Sequence, residues 1–163
     1  MIILVADTSV LIELEHAKLL ELAFRGPDHL ATPDFLYHRE LAADIGPQLL
    51  AFGLHVLELN ADELSDVQQA GAANPALSLP DCAAYVAARR TDHELLTGDG
   101  ALRRLALSQG LVCHGVLWLM DRLANAGTTT HAELHAGLTA LAQHPRCRLP
   151  HAEVKKRLQA WQR

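Results

Sequence analysis

Three aspartates in this 163-residue chain, Asp7, Asp81 and Asp99, stand where the chain can gather them. Asp7 follows directly on the apolar run Ile2 to Ala6. Asp99 follows Glu94 to Thr97, a second short run that reads as a buried strand closed by the turn Gly98-Asp99-Gly100. In an open parallel sheet, ligands bind outside the carboxyl ends of the strands, so both acids are expected at one edge. Crossover helices return antiparallel to the strands and bring their N-termini to that same edge. Asp81 lies in the first turn of a helix opened by Ser78, so a third carboxylate converges there by topology. Carboxylates gathered without Lys or Arg beside them resist ionisation, a cost that a bound cation removes. An all-oxygen set suits Mg²⁺ or Mn²⁺, held by few carboxylates together with waters and substrate phosphate oxygens. The matching chemistry is phosphodiester hydrolysis, in which the ion polarises the phosphoryl group and acidifies a bound water. Each acid also has a purely structural reading: Asp7 as a helix cap, Asp81 as a capping partner, Asp99 as a turn residue. Ser9 and Thr97 can position a metal-bound water, or can serve as local backbone caps.

The elements that must carry these residues follow from periodicity and punctuation. Ile2 to Ala6 has the pattern of a strand buried on both faces. Val10, Leu14, Ala17, Leu20 and Phe24 recur at helical spacing until Gly26 and Pro27. Thr32 and Pro33 read as an N-cap and first helical position, opening a helix to about Asp44 that contains both Asp34 and Glu40. A strand is expected at His55 to Leu59, and a helix from Ala61, capped by Asn60, ending before Asn74 and Pro75. Another helix runs from Ser78 to about Arg90, a further one from Ala101 to Gln109, and a strand from Leu111 to His114. Strands separated by helices of ten or more residues imply an α/β fold, with a central parallel sheet and helices on both faces. Beyond Gly115 the pattern is helical throughout: one helix to about Asn125, one capped by Thr130 with Glu133, and one from His151 to Trp161.

Composition limits what such a chain can be. Its length suits one compact domain, and 50% hydrophobic with only 4% aromatic residues implies a core of Leu, Ala, Val and Ile. The first apolar run is too short for a signal peptide or a membrane span, and three unpaired cysteines fit a reducing compartment, so a cytoplasmic protein that does not enter membranes is expected. The net charge of −5 opposes phosphate binding, yet if four carboxylates form a cation site the rest of the chain carries only −1. The basic residues are clustered: Arg89 with Arg90, Arg103 with Arg104, Arg146 with Arg148, and Lys155 to Arg157. The first two pairs are candidates for holding a phosphodiester backbone, against the alternative of ordinary solvated helix faces.

Other chemistries fit less well. His131 and His135 lie four apart on a helix, but Ala132 stands where a zinc protease needs Glu. An aspartyl-phosphate enzyme of the dehalogenase kind wants a second Asp where Ser9 stands. A receiver domain wants a lysine near Leu111 to Gly115, and there is none. No Gly-rich phosphate loop is present.

Val5-Ala6-Asp7-Thr8-Ser9-Val10-Leu11-Ile12 resembles the opening strand and turn of PIN domains, in which the Asp binds metal and the following hydroxyl residues line the site. Leu77 to Ala84, with Asp81, and Leu95 to Asp99 resemble the third and fourth acidic motifs of that family. Arg39-Glu40-Leu41 falls where its second acid, a helical glutamate, is expected, with Asp34 as the competing candidate. The resemblance covers residues 2–123. It implies a PIN-like nuclease domain over residues 1–123, with residues 124–163 a helical extension packed on the same domain. It further implies a metal site of Asp7, Glu40, Asp81 and Asp99, and Mg²⁺ or Mn²⁺ as cofactor. Bacterial relatives of this kind are VapC-type toxins: Mg²⁺-dependent endoribonucleases, often homodimeric, each neutralised by a small antitoxin protein. The competing reading is a non-catalytic α/β scaffold whose helical tail binds a protein partner.

Overall fold

The structure, a computed structural model, describes residues 1–162. Strand β1 (Ile3–Ala6) holds Leu4, Val5 and Ala6 out of contact with water because it is the central strand of a five-stranded parallel sheet. The others are β2 (His29–Pro33), β3 (His55–Leu57), β4 (His93–Leu96) and β5 (Cys113–His114), in spatial order β3-β2-β1-β4-β5. The expected α/β class is therefore what forms. The progression reverses at β1, which pairs with β2 on one side and β4 on the other, with Val5 opposite Ala31 and Ala6 opposite Leu96. A crevice opens at such a switch point, outside the carboxyl ends of β1 and β4.

Two stretches differ from the periodicity reading. The helix after Asp7 is α1 (Thr8–His16), which stops well short of Phe24, and a separate turn α2 (Leu20–Ala23) follows. Between them Lys18 takes a left-handed backbone, φ 57°. Its N–H donates to the Glu15 carbonyl and that of Leu19 to the Leu14 carbonyl. That closing turn is usually made by glycine, so a lysine there leaves no sign in the sequence. Thr32 and Pro33 end strand β2 instead of opening a helix. Proline is tolerated there because it lies at the end of the strand, opposite Leu57. The helical turn α3 (Asp34–Leu36) starts directly afterwards and widens into a π-helical turn over Tyr37–Leu41, where Glu40 sits. Gly46 and Pro47 begin α4 (Gly46–Phe52), with proline in its tolerated first-turn place.

The helices with side-chain caps fall where expected. Asn60 and Glu63 form a reciprocal capping box opening α5 (Ala61–Ala73), and Ser78 and Asp81 do the same for α6 (Leu79–Ala88). Helix α6 is buried for most of its length. Its Cys82, Ala83, Ala84 and Ala87 are small enough for close packing against α5 and the central strands. Then come α7 (Gly100–Ser108), α8 (Val116–Ala126), α9 (His131–Gln143) and α10 (His151–Ala160). Leu134, Leu138 and Leu141 of α9, with Val154 and Trp161 beyond, are buried in the same hydrophobic cluster as the sheet. Gly137 makes that docking close, since a methyl group there would lie 2.9 Å from the Ala17 carbonyl oxygen. Cys82, Cys113 and Cys147 are free thiols. Among the described residues, no helix is long and apolar enough to cross a membrane.

Candidate metal centre and its cleft

Asp7 is the pivot of the crevice. Its backbone leaves β1 still bonded to the sheet, its N–H donating to the Leu96 carbonyl at 3.2 Å, and its side chain then caps α1 by accepting from the Val10 N–H at 3.0 Å. The Ser9 hydroxyl, 2.8 and 2.9 Å from the two carboxylate oxygens, donates to it, and so does the Thr97 hydroxyl. Both hydroxyls also accept from the next turn: Ser9 from the Gly98 N–H at 3.0 Å, Thr97 from the Asp99 N–H at 2.9 Å. Asp7, Ser9, Thr97 and Asp99 are thus one hydrogen-bonded unit joining the ends of β1 and β4. The hydroxyls orient acids, a role neither sequence reading anticipated.

Asp7 is only 1% exposed and has no cationic partner among the described salt bridges. Burial pushes its pKa up to about 6. The hydrogen bonds from Thr97, Val10 and Ser9 pull it back, and the Asp81 carboxylate adds to the rise. Asp81 is therefore close enough for its charge to be felt, although its own oxygen also closes the capping box on the Ser78 N–H at 3.3 Å. Asp99 caps α7, accepting from the Leu102 N–H at 2.8 Å. Glu40 is exposed and joins from the side, where it accepts from the Thr8 hydroxyl at 2.8 Å. Asp34 accepts from the neighbouring Phe35 N–H at 2.7 Å.

Sequence reasoning missed Glu13. It lies one helical turn after Ser9, and its carboxylate rests against Gly98 where a Cβ would otherwise stand. Burial, then the charge of Asp7, raises its pKa to about 7. The i,i+4 spacing from Ser9 was the signal available. Among the described residues, no three His, Cys, Asp or Glu side chains stand close enough to share one ion. The donors are nonetheless all oxygen, uncompensated by Lys or Arg. Mg²⁺ needs only one or two carboxylates, its other positions going to water and phosphate, so the residues present fit such an ion.

The arginines divide. Arg90 is held by Glu63, with Nε and Nη2 each 2.8 Å from a carboxylate oxygen, and Arg89 leans on Asp66 at 3.6 Å and over the Tyr85 ring. Arg104 reaches toward Gly100, and Arg103 lines a cleft of about 1440 Å³ together with Ser9, Glu13, Thr97 and Asp99.

A switch-point crevice edged with carboxylates defines an α/β protein whose candidate ligand site lies at the ends of β1 and β4. The chain belongs to the PIN-domain family, since residues 3–163 match the family described as DUF3368: PIN domain. PIN domains are generally nucleases and typically use divalent metals. Comparison with curated proteins and with solved structures returns no match.

Proposed function

We propose that this PIN-domain protein is a Mg²⁺- or Mn²⁺-dependent endoribonuclease, and that it is the toxin of a type II toxin–antitoxin pair. The observation that carries the nuclease reading is Asp7: a carboxylate shut away from water, with no cationic partner, in a switch-point crevice beside Asp81 and Asp99. When bound, the cation supplies Lewis-acid polarisation of the phosphoryl group and a water acidic enough to attack it. Asp7, Glu40, Asp81 and Asp99 would hold it between them, and because among the described residues no three of these side chains stand close enough to share one ion, one or two would bind directly and the others through water. Ser9 and Thr97 fix the direction of the Asp7 carboxylate, and the Asp99 backbone is tied to the same hydroxyl that holds Asp7. The Thr8 hydroxyl donates to Glu40 and so ties that carboxylate to the residue next to Asp7.

The toxin assignment rests on the motif resemblance to VapC-type proteins. In that setting the protein is a cytoplasmic homodimer, residues 124–163 are an extension of the nuclease domain, and a small antitoxin blocks the acids by inserting a basic side chain, Arg being the best fit for paired carboxylates. One observation favours the scaffold alternative: Asp7 and Asp99 each cap a helix, and Asp81 is the capping-box partner of Ser78. Metal and activity separate the two. Purified Asp99→Asn is expected to lose Mg²⁺- or Mn²⁺-dependent RNA cleavage by at least about a hundredfold while folding as the wild type does. Undiminished cleavage by that variant, with contaminating nuclease excluded, rules the metal mechanism out. Relief of growth arrest on co-expression of the neighbouring reading frame tests the pairing.

A further inference from the structure

The cleft over the acids has a second wall, contributed by the far end of the chain. Residues 144–149 of the loop joining α9 to α10 line the cleft together with the β4–α7 turn, with Arg146 and Arg148 on the loop and Arg103 on α7. Several contacts shape and seat this loop. The His144 ring stacks on His16 of α1, centroids 4.0 Å apart and nearly parallel. The Cys147 N–H donates to the His144 carbonyl at 3.0 Å, and the Arg146 N–H to its Nδ1 at 3.2 Å. Arg146 and Arg148 are both exposed and take part in none of the described salt bridges, unlike Arg90, Arg122 and Arg157, which are tied to carboxylates.

We propose that this loop is a phosphate-gripping wall, with Arg146 and Arg148 holding the backbone of the RNA strand in the cleft that the acids also line. The inference rests on the nuclease reading and says which part of the chain positions its substrate. Size comes first. At about 1440 Å³ the cleft exceeds the ~300–1,000 Å³ typical of small-molecule pockets, so it accommodates a segment of polymer. Sign comes second. The lining carries carboxylates at Glu13 and Asp99 and guanidinium groups at Arg103, Arg146 and Arg148, the last two exposed. A basic peptide would meet the guanidinium groups, whereas a polyanion accompanied by a divalent cation satisfies both signs. Arginine also suits the wall chemically, because its planar fork matches phosphate oxygens. The overall charge of −5 gives no general affinity for nucleic acid, so these few arginines must carry the attraction.

The test uses the full chain, a short fluorescent single-stranded RNA, and chelator to prevent cleavage, with affinity measured by anisotropy over a range of salt. Wild type is compared with Arg146→Glu/Arg148→Glu, and with Lys155→Glu/Lys156→Glu. The latter makes the same charge change at two exposed lysines of α10 that do not line the cleft. Thermal melting checks that all three fold alike. Each phosphate contact to a single strand contributes about 0.7 to the salt slope, so the loop variant should lose about 1.4. Its affinity at physiological salt should fall on the order of tenfold or more. The α10 variant should keep the slope. Equal losses in both variants, or an unchanged loop variant beside a wild type that binds and cleaves RNA, overturn the wall while leaving the nuclease reading standing. A wild type that neither binds RNA nor cleaves it with Mg²⁺ removes both. Unchanged RNA affinity joined to lost rescue by the neighbouring reading frame would put a protein on the loop, and also overturns the proposal.

Discussion

The acids of this protein are treated in two opposite ways. Away from the crevice, carboxylates are matched to arginine. Asp28, 6% exposed, takes Nε and Nη2 of Arg122 at 2.6 and 2.9 Å, and Glu63 takes both arms of Arg90. The hydrogen bonds from those guanidinium groups hold both acids below the ordinary carboxylate range. At the ends of β1 and β4, Asp7 accepts hydrogen bonds from hydroxyls and a backbone amide alone, neither Asp7 nor Glu13 takes part in a described salt bridge, and burial, with the charge of a second carboxylate, drives both upward. The chain does not lack arginines with which to neutralise Asp7. None of them forms a described salt bridge with it.

That contrast has a pH signature, and it is the largest effect to look for. Because the folded-state pKa values of Asp7 and Glu13 are raised to about 6 and 7, the native chain binds more protons than the unfolded chain between about pH 4 and 7. Metal-free stability should therefore fall as pH rises through that window, by about 3 kcal/mol from Asp7 alone. Asp28 and Glu63 act with the other sign: their contribution is present above the unfolded carboxylate pKa and disappears as pH drops below it. Urea melts in chelator from pH 4 to 8 check this, and a stability that climbs steadily to pH 8 would mean Asp7 is compensated after all. Mn²⁺ should flatten the alkaline decline, because an ion that binds only the folded form adds stability there.

Single substitutions separate the two regions by sign. Arg122→Ala strands the buried Asp28 charge and should lower stability by about 2 kcal/mol, its side chain being open enough to water to keep the loss below that for a fully enclosed pair. Asp7→Asn, measured at pH 8 in chelator, should raise the melting temperature. The gain is on the order of 1 kcal/mol, less than the whole penalty, because an amide offers one acceptor oxygen where Ser9, Val10 and Thr97 now share two. That gain should vanish near pH 4, where the aspartate is already neutral. A destabilised Asp7→Asn at pH 8 would make Asp7 a structural cap and erase the distinction between the two regions.

What was legible in the sequence was whatever is local. Asn60 with Glu63, Ser78 with Asp81, and Thr130 with Glu133 each announce a helix start through side chains three residues apart, and all three helices begin there. The fold class followed from strand and helix alternation, and Asp7 and Asp99 from their places at strand ends. Strand β2 was lost because Thr32-Pro33 has the same local chemistry as a helix cap, and only pairing with Ala6's neighbours in β1 and with β3 decides between them. The break at Lys18 carries no glycine to mark it. The loop at 144–149 lies far from Asp7 in sequence, and nothing short of the packed structure puts it in the same cleft.

The order in which the cleft is completed also has a meaning in time. β1 waits for β4 to supply Thr97 and Asp99, and the second wall exists only after His144 to Leu149 have been made. At roughly 5–20 residues per second, synthesis from Asp99 to His144 takes about 2–9 s. A growing chain thus carries its acids for seconds before residues 144–149, which line the same cleft, have been made.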